Sequence, residues 1–576
     1  MIMEEDYYLQ NFISMLDHVT GIYGDILDPH HMAFGSDFRE LSPGAARLWV
    51  RAITRKGPAL RIDRLNYSEI PCRDEAIAEL CERGFAQLCG SVEARQALKT
   101  ILKDEVTLIF SDILEQLAIP SRAGKSEMIT ALLDSDSRYD LIVERIAAHS
   151  PWLTLLRLDS LLILRLCYFG NLWQDLSEFV ISDMGILKFE KVSFRKEDRY
   201  FQTSGDLNAT MSLLLIADEI YLNLSAAEPE QINEWAERTF RCLEIGSGSE
   251  VRRRHDRIIN SLARQLERIG DDLSLRKALE LYSRAIAPPS RERRARIFLK
   301  AAEADAKTES AKTESARAAE TLISEILDAP RDQDEYEFAL RRRKSLPRFI
   351  PLVHQYILEP SAAVCVEELA AETLRQSVTG SKVWSVENSL MCGLLGLAFW
   401  DIIFAPHPGA FCNPYQRGPV DLFRPSFREA RKSEISSRLD EILCRSGDTG
   451  EYLLEVRQQK SGTANFLVNW SLLTPELISA VLKTLGTENL VRIFDLMLFD
   501  LRSNCSGFPD LFMTFPVEDG AAGQPFSSYG YEFIEVKGPG DRLQANQIRW
   551  FRRFTEWGIP CSVMKIIYAD ECEAAD

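Results

Sequence analysis

The chain has 576 residues, and several familiar signatures are missing from it. Its twelve cysteines are scattered without a C-x-x-C pair, which argues against a zinc site and against a secreted disulfide framework. Of its seven histidines only His407 falls in the C-terminal third, so that region lacks the base of a histidine-metal or HNH-type nuclease. No G-x-x-x-x-G-K-[ST] loop is present, which disfavours an ATP-driven motor. The apolar run Ser389 to Ala405 falls short of the roughly 20 residues of a membrane span. It is also interrupted by Asp401. The opening MIMEEDYYLQ is acidic and aromatic, unlike a signal peptide, so an intracellular location is expected. Positive charge is scarce overall: 68 basic against 86 acidic residues leave a net charge of −18. That balance does not exclude nucleic acid, because binding depends on where basic groups cluster.

What is present suits a large multidomain protein. A hydrophobic content of 46% supports packed cores, and the length suggests about four domains. Basic residues gather at Arg252-Arg253-Arg254, at Arg291 to Arg296, and at Arg341 to Lys344 with Arg348. Any one of these reads as a solvated helix face.

The most informative stretch lies near the C-terminus. Tyr531 to Lys537 (YEFIEVK) alternates and is rich in aromatic and β-branched residues, the pattern of a strand. Alternation puts Glu535 and Lys537 on one face and turns Val536 away. Pro509-Asp510 lies 25 positions before Glu535, which leaves room for a hairpin whose loop would be Val517 to Ser528. Two carboxylates and an ammonium brought together suit cation-assisted phosphodiester hydrolysis. A bare E-x-K triplet is more often an exposed ion pair, so the surrounding pattern decides.

That pattern is Gly507-Phe508-Pro509-Asp510-Leu511, then EVKGPGDRL, then Gln547 and Trp550. It resembles the VRR-NUC branch of the PD-(D/E)XK nucleases, and within it the Fanconi-associated nuclease family. A second segment extends the resemblance. Val386-Glu387-Asn388 precedes the run ending Trp400-Asp401-Ile402-Ile403-Phe404, and Gln416, Pro419, Asp421 and Leu422 follow. The resemblance implies a catalytic trio of Asp510, Glu535 and Lys537. It implies Mg²⁺ or Mn²⁺ held by Glu387, Asp510, Glu535 and the carbonyl of Val536, with Gln547 supporting the site. Larger members begin with a ubiquitin-binding zinc finger, for which no Cys/His cluster exists here. Some members grip a 5′-phosphate with a basic residue one position before the motif glutamine; this chain has Asn546 there, and Arg502 is the candidate for part of such a pocket.

Four regions are expected. Residues 1–92 resemble the family's winged-helix-like N-terminal region. Residues 93–170 resemble a SAP-like DNA-binding module, with a turn at Ile119 to Gly124. Residues 171–375 carry amphipathic helices that resemble tetratricopeptide repeats, one helix ending near Ala287. The duplication from Ala306 to Ala316 reads as a helix end or mobile loop. Residues 376–576 form the α/β nuclease domain. The fold class is therefore multidomain and mostly α. Phosphate contacts are expected from Arg122 and Lys125 at the SAP-like turn, from Arg51, Arg55 and Lys56, and from Arg502. At least one of the basic runs is expected to track phosphate.

The function implied is a structure-selective DNA nuclease, cutting 5′ flaps and trimming 5′-to-3′ in interstrand crosslink repair, with branched DNA as partner. The alternative is a non-catalytic helical-repeat scaffold carrying a degenerate nuclease fold. The intact Asp510, Glu535 and Lys537 argue against it.

Overall fold

The structure is a computed structural model. It describes residues 6–55, 59–89, 94–120, 122–134, 139–149, 151–174, 187–303, 309–344, 349–358, 365–445, 449–516 and 530–568. The chain divides into two compact units, residues 1–186 and 187–576.

In the first unit, α1 (Tyr7–Tyr23), α2 (Pro29–Arg39), α3 (Pro43–Ile53) and α4 (Arg73–Glu82) surround an aromatic centre of Phe12, Phe34, Phe38, Trp49 and Phe85. The helix starts follow from capping. Asp28 accepts from His30 N and Ser42 from Ala45 N, and proline fills the first helical position of both α2 and α3. Strands β1 (Ala59–Arg61), β2 (Ala86–Cys89) and β3 (Trp152–Leu155) form an antiparallel sheet in the order β1-β3-β2. The strand β3 thus returns to the sheet of residues 59–89 after a helical excursion through α5 (Lys103–Ile109) and α6 (Lys125–Leu133). A boundary at residue 92 cuts through this sheet. Long-range strand pairing leaves no local signature, so the helical excursion read as a separate module. Helix α7 (Leu158–Phe169) follows.

The second unit opens with consecutive packed helices, among them α8 (Ser249–Ile269), α9 (Asp272–Arg284), α10 (Ser290–Glu303), α11 (Glu309–Asp328) and α12 (Gln333–Arg342). Helix α9 stops before Ala287 because Asp256 Oδ2 accepts the amides of Ile286 and Ala287, both at 2.9 Å, turning the chain back onto α8. The later part of the Ala306–Ala316 duplication begins α11, and residues 304–308 lie outside the described residues.

The nuclease sheet has five strands in the order β4-β8-β7-β6-β5. These are β4 (Val353–Leu358), β5 (Lys382–Ser385), β6 (Leu511–Thr514), β7 (Tyr531–Lys537) and β8 (Cys561–Tyr568). The pairs β5–β6 and β6–β7 are antiparallel, while β7–β8 and β4–β8 are parallel. The central β7 alternates as its sequence dictates. Tyr531 and Phe533 join the large core with Phe512, Trp550 and Phe554, whereas Ile534 and Val536 face α13 (Val366–Ser377) through Ala370, Ala371 and Leu374. Edge strand β4 and all but the last turn of α13 lie before residue 376, so the nuclease fold begins earlier than the sequence pattern marks.

Candidate active site

Asp510 immediately precedes β6, and the β6–β7 register sets it beside the C-terminal half of β7. Its Oδ2 accepts the Val536 N–H at 2.8 Å. Its carbonyl accepts the amides of Val386 at 2.8 Å and Glu387 at 3.0 Å, which tethers the start of α14 (Glu387–Ala398) to the same strand end. Glu387 sits there with φ of 39°, a left-handed conformation unusual outside glycine and often found at functional sites. Asn388 completes the junction by accepting the amides of Gly507 (2.7 Å) and Phe508 (3.1 Å) through Oδ1. Gly507 itself has φ of 92°, and a Cβ there would lie 2.6 Å from the Asn546 backbone. Only glycine lets α16 (Ala545–Glu556) approach this closely.

Glu535 is fully buried. Its Oε1 accepts Lys537 Nζ at 2.6 Å and Gln547 Nε2 at 2.5 Å. Gln547 is held in turn because its Oε1 accepts the Gln544 N–H at 2.9 Å, capping α16. The other oxygen, Glu535 Oε2, is buried and has no hydrogen-bond partner. Such a group costs stability unless something of opposite charge completes it.

The electrostatics agree. Burial, opposed by the Val536 amide and Lys537, pushes Asp510 up to about 6. Burial and then the Asp510 charge push Glu535 up to about 7. Glu387 adds repulsion to both, and Glu367, exposed in the first turn of α13, adds to that on Asp510. Crowding of like charges and burial thus act in the same direction on both carboxyls. An acidic pair opening α13 (Glu367-Glu368) was the only sequence signal for Glu367. Asn388 had none beyond its place after Glu387.

The FAN1, HTH domain family pattern matches residues 6–87, and the VRR-NUC domain pattern matches residues 447–566. A Fanconi-associated nuclease 1 homolog of Pseudomonas aeruginosa is 31% identical over 573 residues, covering 97% of this chain and 95% of that protein. The chain belongs to the Fanconi-associated nuclease 1 family. It is a DNA nuclease of a metal-dependent class. A homolog of Arabidopsis thaliana is 24% identical, covering 97% of this chain and 67% of that protein. The crystal structure of paFAN1 bound to 2nt 5′flap DNA with gap superposes with a TM-score of 0.78 at 28% identity, covering 99% of each chain.

The expected phosphate-contact residues of this family member are differently situated. Arg51 pairs with Glu69 at 2.7 Å and stacks over Tyr8, its guanidinium 3.9 Å from the ring centroid. Lys125 donates to the Lys99 carbonyl at 2.7 Å, and its burial lowers its pKa. Both are thereby tied into the fold. Arg55 is exposed and donates to Tyr67 Oη at 2.8 Å. Arg122 is exposed beside α6, and Arg502 is exposed on α15 (Leu501–Asn504). Lys56 and the expected hairpin loop 517–528 lie outside the described residues.

The basic runs are largely paired internally. Arg253 and Arg254 meet Glu250, Arg291 meets Glu335, Arg293 meets Glu267, Arg296 meets Glu292, and Arg343 meets Glu320. A dense basic run therefore overstates the charge left for phosphate, because acidic partners come from the adjacent turn of the same helix and, for Arg291, Arg293 and Arg343, from other helices. Arg348 lies outside the described residues. Asp401 is exposed and pairs with Arg438 at 2.7 Å. Among the described residues no helix is long and apolar enough to cross a membrane.

Proposed function

We propose that this chain is a 5′-flap endonuclease and 5′-to-3′ exonuclease of the phosphodiesterase I type that acts inside the cell in interstrand crosslink repair. Asp510, Glu535 and Lys537 carry the chemistry. Glu387, Asp510, Glu535 and the Val536 carbonyl hold Mg²⁺ or Mn²⁺. The observation that carries this reading is the fully buried Glu535, whose Oε1 is taken by Lys537 and Gln547 while Oε2 is left without a partner. An all-oxygen donor set suits a hard divalent cation. When bound, such a cation supplies Lewis acidity at the phosphate.

The protein's own groups do the rest. Gln547 holds Glu535 in one orientation, and the Val536 amide does the same for Asp510. The Lys537 ammonium, half-buried on the Glu535 face, orients the attacking water and offsets the negative charge that grows on the phosphate. Arg122, Arg55 and Arg502 are the phosphate contacts best exposed for that role; Arg51 and Lys125 would first have to leave their partners. Flap DNA as substrate is supported by the DNA carried in the crystal structures this chain resembles.

Labelled single-strand, duplex, 5′-flap and 3′-flap substrates, incubated with Mg²⁺, Mn²⁺ or a chelator, test the reaction. Cleavage near the 5′-flap junction that needs the cation is expected. Equal cutting of 3′ flaps, or cutting in chelator, overturns the assignment. The repair role is tested in cells lacking their own family member. The wild-type chain should restore resistance to a crosslinking agent, and Asp510→Ala should not.

A further inference from the structure

A second group of metal-ligating side chains lies in the first unit, where the N-termini of α2 and α7 meet. One ligand atom from each of His30, His31 and Asp159 falls within 4.8 Å of the others. His30 Nε2 and Asp159 Oδ2 are 3.2 Å apart. That is close to the roughly 3.3 Å between two ligand atoms on a tetrahedral zinc with bonds of about 2.0 Å.

Both imidazoles are also oriented from behind. His30 Nδ1 contacts Asp28 Oδ1 at 2.6 Å, and His31 Nδ1 contacts Ser160 Oγ at 2.9 Å. His31 is 8% and Ser160 2% exposed, so this half of the arrangement is built into the core. Metal-binding histidines are characteristically held this way, with a carboxylate or hydroxyl on the far nitrogen. His30 and Asp159 are exposed and leave a fourth position open to water.

We propose that His30, His31 and Asp159 bind a borderline divalent transition cation of the Zn²⁺ type, which clamps α2 to α7. Two imidazoles and one carboxylate favour such an ion over Mg²⁺ or Ca²⁺, which take oxygen. The two helix N-termini oppose a cation with roughly half a positive charge each. The Asp28 and Asp159 carboxylates outweigh them, and the nearby Arg157 is already paired with Asp37 at 2.5 Å. The site is structural and separate from the nuclease chemistry, which no step here requires.

The test uses the full chain carrying Asp510→Ala and Glu535→Ala, so that the nuclease site does not compete. Co²⁺ titration should give the visible bands of a tetrahedral ion, saturating at one equivalent, without thiolate charge-transfer absorption. Zn²⁺ should displace it. His30→Gln, His31→Gln and Asp159→Asn should abolish the bands, and Ser160→Ala should weaken binding roughly 10–100-fold as a lost orienting partner. His30 and Asp159 are exposed, so those two variants remain informative if the change at buried His31 disturbs folding. Added Zn²⁺ should raise the melting temperature of the parent and leave that of His30→Gln unmoved. Otherwise wild-type His30→Gln should cleave DNA at the normal rate. Unchanged bands in His30→Gln and Asp159→Asn, no bands with excess Co²⁺, or a thiolate band each overturn the proposal.

Discussion

Asp510 Oδ2 accepts the backbone N–H of Val536 at 2.8 Å, so one of the proposed catalytic carboxylates is fixed by the amide that lies between Glu535 and Lys537. Glu535 and Lys537 flank that amide on one face of β7. A single hydrogen bond therefore registers all three groups, and the antiparallel β6–β7 pairing sets its position.

Asp510→Ala or Glu535→Ala should abolish cleavage while DNA affinity stays within a few-fold, because affinity rests on backbone phosphate contacts elsewhere. Cleavage assays paired with fluorescence anisotropy on a flap substrate check this. Wild-type-like cutting by Asp510→Ala removes that residue from the mechanism.

Lys537→Ala should lower turnover about a hundredfold or more, the scale of one positioned electrostatic group. A merely structural pair would show a lower melting temperature and a normal rate. Single-turnover kinetics at saturating Mn²⁺ separate the two outcomes.

The acidic cluster should make the cation-free protein less stable as pH rises. Asp510 and Glu535 have folded pKa values raised to about 6 and about 7. The folded state therefore binds more protons than the unfolded chain between roughly pH 4 and those values, and stability falls across that window. Asp510→Asn and Glu535→Gln should melt higher than wild type at neutral pH in chelator, and Mn²⁺ should stabilise wild type more at pH 7.5 than at pH 5.5. A flat pH dependence in chelator contradicts the crowding of charge.

A fragment beginning at residue 376 should fail to fold. It loses β4, which pairs with β8, and most of α13, whose Ala370, Ala371 and Leu374 pack with Leu511, Ile534, Val536 and Met564. Residues 187–576 retain that sheet and form a compact unit, so they should fold and cut. Their binding should show a shallower salt dependence and weaker flap preference than the full chain, as fewer phosphates are contacted. Limited proteolysis and salt titration of binding measure both. An identical salt slope would take DNA recognition away from residues 1–186.

Much of the nuclease core was legible in the chain itself. Strong period-2 alternation placed β7 at Tyr531–Lys537, because a strand packed between two layers must alternate or be apolar throughout. The same alternation put Glu535 and Lys537 on one face. What no local pattern carries is who meets whom across the chain. Asn388 reaching the Gly507 and Phe508 amides, Glu367 approaching Asp510, β4 joining β8, and β3 returning to β1 and β2 are products of long-range packing. The same holds for charge. Arg291 and Arg293 sit in a run that reads as a solvated helix face, yet Glu335 and Glu267 neutralise them from other helices. Residue identity and spacing determine which side of an element a group occupies; only the tertiary fold decides whether that side faces solvent, a partner or the reacting phosphate.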